Sequence, residues 1–206
     1  MSRLNFWDKF AEKYSRQPIK DMAAYDNTLA RTAARLTPGD HVMEIGCGTG
    51  TTALRLAEHV QRITASDISE NMIAIARQKA TDQNIGNVEF FPGEAATAPK
   101  TDGGYDAVVA FNLLHLLENP EQTMAQIHDR LKPGGYFISK TICLGDRQGF
   151  LRPLIFMMQI FGRAPYVRFL KTAELESTIE KAGFTIDEAD YIPADKQIRF
   201  IIARKV

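Results

Sequence analysis

The stretch Val42-Met43-Glu44-Ile45-Gly46-Cys47-Gly48-Thr49-Gly50 constrains this chain more than any other. It reads as a short buried strand that breaks into a glycine-rich turn, after which Thr51 to His59 continues as a helix. Strand, tight turn and helix in that order are how α/β proteins carry backbone N–H groups to a ligand at a strand's carboxyl end. Glycine is needed for two reasons: the turn requires unusual φ/ψ, and a Cβ would block close approach.

The details of this E-x-G-x-G-x-G pattern separate three ligands. A phosphate-binding P-loop requires Gly-Lys-Ser or Gly-Lys-Thr at a fixed spacing, and neither is present. A dinucleotide turn prefers G-x-G-x-x-G, and counting from Gly46 the last position is Thr51. S-adenosylmethionine carries no phosphate and has a cationic amino group, so an acid at Glu44 suits it and would oppose a pyrophosphate. A tight turn with no ligand is the bland alternative, because glycine motifs alone match by chance.

The next segments favour a ligand. Arg62 to Ser66 reads as a second strand ending at Asp67, 17 positions after Gly50 and close to the ~20 expected of a ribose-binding acid. The competing role for Asp67 is a helix cap. Ser69 is better placed for that, with Glu70 and Asn71 in the first turn of a helix running to Ala80. A third strand, Asn87 to Phe91, leads into Pro92-Gly93-Glu94-Ala95, and a fourth, Tyr105 to Phe111, leads into Asn112-Leu113-Leu114-His115. A helix near Pro120 to Leu131, the turn Lys132-Pro133-Gly134-Gly135 and a fifth strand, Tyr136 to Thr141, follow. Strand after strand hands its loop to one sheet edge, where ligands of open α/β sheets sit.

On these residues the chain resembles the class I S-adenosylmethionine-dependent methyltransferases, from about Trp7 to Val206. The matching pieces are Glu44 to Gly50, Asp67, Gly93-Glu94-Ala95, Tyr105-Asp106-Ala107-Val108-Val109 and Leu131-Lys132-Pro133-Gly134-Gly135. The small-molecule branch, with ubiquinone/menaquinone-type and phospholipid enzymes, looks most similar. The resemblance implies that Gly46 and Gly48 approach the methionine part and ribose, with Cys47 packed in the turn. It implies that Glu44 holds the amino group, directly or through water, and that Asp67 holds the ribose hydroxyls. Ile68 and Met72 would flank the adenine, and Glu94 would accept from its amino group beside the Gly93 and Ala95 backbone. The family more often has Asp at the Glu94 position. Phe111 and Asn112 would lie beneath the methionine portion.

Pattern and resemblance together predict an α/β, Rossmann-like, doubly wound sheet of seven strands. The sheet is mostly parallel with one antiparallel strand near the C-terminus, and helices cover both faces. The 206 residues, 45% hydrophobic, suit a single domain. Net charge is zero and pI about 6.9, which gives no bulk electrostatic footprint for nucleic acid. Cys47 and Cys143 suggest neither a disulfide framework nor a zinc site. No apolar signal segment precedes the first helix, so a cytoplasmic protein is expected. The C-terminal part reads as a helix, Thr172 to Ala182, stopped by Gly183, then two strands, Phe184 to Ile192 and Gln197 to Arg204.

The first 37 residues read as a helical lid, its second helix running from Ile19 to Leu36. Phe6 and Phe10 share one face and Trp7 and Tyr14 another. Phe6 and Phe10 read as packing residues, and the resemblance places Tyr14 over the cofactor. An aromatic face beside a sulfonium gains about 0.5–2 kcal/mol. A substrate cap is expected over residues 145–171, where Phe150 to Phe161 is apolar on nearly every side. That stretch is too short for a membrane span, which needs ~20 residues, and such a helix is normally buried. Arg147, Arg152, Arg163, Arg168 and Lys171 surround it. A cap over a hydrophobic acceptor with an anionic head, a peripheral membrane contact, a core helix and a dimer seam all fit the pattern.

His115 is the best-placed general base, against a plain role at the pocket rim. The family's exocyclic-amine and glutamine enzymes carry Asn/Asp-Pro-Pro-aromatic after strand four. Here Asn112-Leu113-Leu114-His115 stands instead, and nothing resembles the metal cluster of catechol-type enzymes. The expected reaction is methyl transfer to a small hydrophobic acceptor, a lipid or quinone among the candidates, by a monomer or homodimer. A nicotinamide-dependent oxidoreductase and a non-catalytic S-adenosylmethionine-binding regulator are the alternatives.

Overall fold

A computed structural model describes residues 3–99, 101–146, 149–193 and 197–206. Seven strands form one sheet: β1 (His41–Ile45), β2 (Arg62–Asp67), β3 (Val88–Pro92), β4 (Tyr105–Phe111), β5 (Leu131–Ile142), β6 (Phe184–Tyr191) and β7 (Ile198–Lys205). Their order is β3-β2-β1-β4-β5-β7-β6. The β1, β2, β3, β4 and β5 pairings are parallel, and β7 runs antiparallel to both β5 and β6. The expected seven-stranded sheet with one reversed strand is therefore the observed one.

The strands are apolar at consecutive positions because both faces are covered. Val42, Ile63, Phe90 and Val109 pack on one side, and Met43, Val108, Phe137 and Ile201 on the other. Helices α1 (Arg3–Ser15) and α2 (Met22–Ala33) precede β1, α3 (Thr51–Leu56) follows it, and α4 (Glu70–Asp82) follows β2. Next come α5 (Pro120–Arg130), α6 (Arg152–Ile160) and α7 (Thr172–Lys181). Ser69 caps α4, its hydroxyl accepting from the Met72 N–H at 3.1 Å, as the sequence predicts. Helix α2 is shorter than Ile19 to Leu36 because Asp21 caps it, accepting from the Ala24 N–H at 3.0 Å.

The fifth strand starts earlier than expected. Leu131 already pairs with Tyr105, whereas Ala107 pairs with Tyr136, so Lys132 to Gly135 bulge out of the ladder. Asp106 anchors this end of the sheet, accepting from the His41 N–H at 2.8 Å and from Lys132 Nζ at 2.6 Å. It stands at the amino end of β4, so this part of the motif is structural.

Helix α6 departs most from expectation. None of its residues is buried, and Phe156 and Ile160 are 62% and 64% exposed. The core-helix reading is overturned. The apolar pattern is real, but it leaves every α6 side chain exposed or only part-buried. Arg147 lies outside the described residues.

Candidate functional site

The sheet order reverses between β1 and β4, the switch point at which open α/β sheets bind ligands. A cleft of about 700 Å³ lies there, within the usual range for small-molecule sites. Its floor is the carboxyl end of four strands: Ile45 and Gly46 at the end of β1, Ser66 and Asp67 on β2, Gly93 after β3, Phe111 and Asn112 at the end of β4. A shallow trough of about 790 Å³ along β3 shares no residue with it, and the trough's Arg77 is engaged by the Phe90 carbonyl at 2.6 Å.

The glycine turn has the geometry its sequence demands. Gly46, Gly48 and Gly50 have φ of +67°, +54° and +76°. A Cβ on Gly46 would lie 2.7 Å from Leu113 Cδ1, and one on Gly50 would lie 2.8 Å from Ala76 and Phe90. Lys79 of α4 fastens the turn, donating to Thr49 Oγ1 at 2.9 Å and Thr51 Oγ1 at 3.2 Å. Asn112 also has a positive φ, +55°. Its N–H donates to the Lys140 carbonyl at 2.6 Å. A non-glycine residue held in this region is a local cost that clusters at functional sites.

Twelve of the fourteen residues named from the sequence line this cleft: Tyr14, Gly46, Gly48, Asp67, Ile68, Met72, Gly93, Glu94, Ala95, Phe111, Asn112 and His115. Glu44 and Cys47 are buried behind the turn and are not on the cleft wall. Glu44 Oε2 has no hydrogen-bond partner. Burial, and then the neighbouring Asp67, push its carboxyl up to about 8, and the Ala53 N–H only partly offsets this. Asp67 is also raised, chiefly by burial, although the Ser69 and Gly48 N–H groups favour its charged form. Burial lowers His115 to about 4, so its ring is neutral at pH 7. Its Nδ1 has no partner.

Sequence reading missed part of the wall. Trp7 joins Tyr14 on the lid side, their rings 6.4 Å apart and edge to face. Asn119, the cap of α5, and Gln122 and Gln126 within it add amides to the wall, and Pro165 and Val167 close the far end. Gln122 and Gln126 carry a weak signal, the i, i+4 spacing of one helix face. Pro165 and Val167 carry none, because only the fold brings them to the site. These two come from the expected cap, whereas α6 itself contributes no wall residue. Arg168 ties this segment down. Its N–H donates to the His115 carbonyl at 2.7 Å, and its guanidinium pairs with Glu174 at 2.8 Å and Glu121 at 3.3 Å. Lys and Arg are absent from the wall among the described residues, and its charged side chains are Asp67, Glu94 and Glu118.

This geometry agrees with the comparisons. Residues 42–135 match the methyltransferase-domain family. The chain is similar to the class I S-adenosylmethionine-dependent methyltransferases. It is 29% identical over 136 residues to the demethylmenaquinone methyltransferase of Listeria monocytogenes, covering 63% of this chain and 57% of that protein. It is 26% identical over 153 residues to the ubiquinone biosynthesis O-methyltransferase of Coxiella burnetii, covering 72% and 64%. The chain thus spans only 57% and 64% of the length of these two relatives. A solved S-adenosylmethionine-dependent methyltransferase from Aquifex aeolicus has the same fold, with a TM-score of 0.75, 17% identity and coverage of 95% and 98%. No helix among the described residues is long and apolar enough to cross a membrane.

Proposed function

We propose that this methyltransferase relative transfers a methyl group from S-adenosylmethionine to a small, uncharged and mostly apolar acceptor. The charge of the cleft carries this reading. Its wall carries acidic side chains, Asp67 chief among them, and no lysine or arginine among the described residues. S-adenosylmethionine is itself cationic at the sulfonium and amino groups, so it suits such a site. The pyrophosphate of a dinucleotide would face repulsion instead. The unpartnered oxygen of Glu44 behind the turn, reached directly or through water, supplies a further acceptor for an amino group, which favours the ionised carboxylate.

Bound there, S-adenosylmethionine supplies an electrophilic methyl on sulfur. The protein's own task is alignment and exclusion of water. In this reading Asp67 accepts from the ribose hydroxyls, Ile68 and Met72 flank the adenine, and Glu94 accepts from its amino group. Gly46 and Gly48 leave room for the ligand beneath Tyr14, and a Cβ on Gly48 would sit 3.6 Å from that ring. Leu113, Leu116, Leu117 and Val167 form an apolar acceptor end, with the α5 amides as neutral hydrogen-bonding groups. His115 takes the acceptor's proton where methylation requires its loss. The likeness to a demethylmenaquinone methyltransferase and a ubiquinone biosynthesis O-methyltransferase supports an acceptor of this kind. An anionic head inside the cleft is disfavoured, because the basic residues near α6 lie off its wall.

Calorimetric titration with S-adenosylhomocysteine, with NADH as the competitor ligand, tests the proposal. Micromolar binding of the first alone is expected. Preference for NADH, or no binding of the first, would remove the basis for it.

A further inference from the structure

We infer that α6 and its flanks dock this protein onto an anionic lipid surface. The first observation is exposure. Phe150, Leu154, Phe156, Met157, Ile160 and Phe161 are each more than half exposed. Single exposed apolar residues need no explanation, but a contiguous patch of this kind marks an interaction site.

The second observation is how the patch wraps the helix. At 100° per residue, Leu154, Phe156, Met157, Met158 and Ile160 spread over an arc of about 200°. A helix seated in a protein groove uses a narrower stripe. An arc this wide suits a medium that closes around the helix, as the headgroup and acyl boundary of a bilayer does.

The third observation is charge. From Gly149 to Lys171 the sequence contains Arg152, Arg163, Arg168 and Lys171 and no Asp or Glu. Arg168 is engaged with Glu121 and Glu174. Arg152 lies over the Phe169 ring, 5.1 Å from its centroid, and Arg163 and Lys171 are exposed. A second copy of the chain would form a self-complementary contact, setting these basic residues against their own copies with no acid in the segment to answer them. Anionic headgroups supply the missing charge, each basic residue near the surface strengthening attachment.

Placement gives the contact a purpose. Pro165 and Val167, a few residues beyond α6, line the acceptor end of the cleft. A lipid surface held at α6 thus lies beside the entry for an acceptor that partitions into lipid. That purpose rests on the hydrophobic-acceptor reading above; the contact itself does not.

Flotation with vesicles tests it, using phosphatidylcholine alone and phosphatidylcholine mixed with phosphatidylglycerol, at about 0.1 M and about 1 M salt. The native chain is expected to float with the anionic vesicles and to be released by salt. Phe156→Glu with Phe161→Glu should cut partitioning about tenfold or more, and Arg152→Glu with Arg163→Glu should abolish the preference for phosphatidylglycerol. Both variants should bind S-adenosylhomocysteine as the native chain does, which shows that they fold and separates this result from the cofactor reading. Absence of vesicle binding, or equal binding by the phenylalanine variant, overturns the inference. So does a native dimer, read by light scattering, that the phenylalanine variant converts to a monomer, since a second copy would then be the occupant.

Discussion

The backbone N–H of Gly48 donates to a carboxylate oxygen of Asp67 over 2.9 Å. The other oxygen of Asp67 accepts from the Ser69 N–H, also at 2.9 Å. One side chain therefore ties the glycine turn after β1 to the start of α4 while facing the cleft. Asp67→Ala should do two things at once. Leaving two backbone donors without their acceptor should cost about 1–3 kcal/mol of stability, and losing a charged acceptor should weaken S-adenosylhomocysteine binding about 10- to 100-fold. Thermal melts and calorimetry read the two separately. An unchanged affinity would refute the ribose assignment.

Glu44 is expected to make S-adenosylmethionine binding pH-dependent. Its folded value near 8 lies above the ordinary 4.5, so the buried group retains its proton at neutral pH. Because the value is raised, ionisation opposes folding, and this group's contribution to stability falls as pH rises from about 4.5 to about 8. A cationic amino group favours the ionised carboxylate. Affinity should then rise with pH by up to tenfold per unit below about 8 and level off above it. Calorimetry in buffers of different ionisation enthalpy should detect a released proton, and Glu44→Gln should flatten the slope. A flat profile for the native chain would separate Glu44 from the ligand.

His115 titrates in the opposite sense. Burial holds it near 4, below the ordinary 6.5, so protonation opposes folding. The stability associated with its neutral ring is present above about 6.5 and is lost as pH falls toward 4. His115→Gln should make melting temperature less sensitive to acid over that range. Once an acceptor is known, the acid limb of kcat/KM should lie near 4, and His115→Ala should reduce turnover about 10²- to 10⁴-fold. Turnover within a few-fold of native would leave His115 as a rim residue.

Gly50 separates conformation from chemistry. It has φ of +76°, and its missing Cβ would lie 2.8 Å from Ala76 and Phe90. Gly50→Ala combines a left-handed conformation with overpacking and should cost about 2–5 kcal/mol. Gly39 has nothing within 4 Å of a Cβ, so Gly39→Ala is the matched control with little effect. Chemical denaturation of both variants makes the comparison.

The strand-end half of the cleft was legible because its constraints are local. Three positive-φ glycines, a capping Ser69 that leaves Asp67 facing the cleft, and short buried strands bounded by turns all declare themselves within a few residues. The far end of the cleft was not legible. Pro165 and Val167 reach the cleft only because Arg168 ties their segment to the His115 turn, and no sequence spacing encodes that. Helix α6 misled for the same reason. Its composition says that it needs cover, but whether the cover is the protein's own core depends on distant elements. Glu44 was found, but its place behind the turn was not, because strand alternation gives the face and not the depth.

Strand β7 comes last in the chain order yet lies inside the sheet, between β5 and β6. Its Ile201 and Ile202 are fully buried. During synthesis, β1 to β4 can pair with one another while the rest of the chain is still in the ribosome. Strand β6 has no partner until β7 emerges, and Ile198, a wall residue of the cleft, arrives with it. The glycine turn is thus assembled early and the far end of the cleft is closed last, so the two ends of one cleft belong to different stages of the chain's emergence.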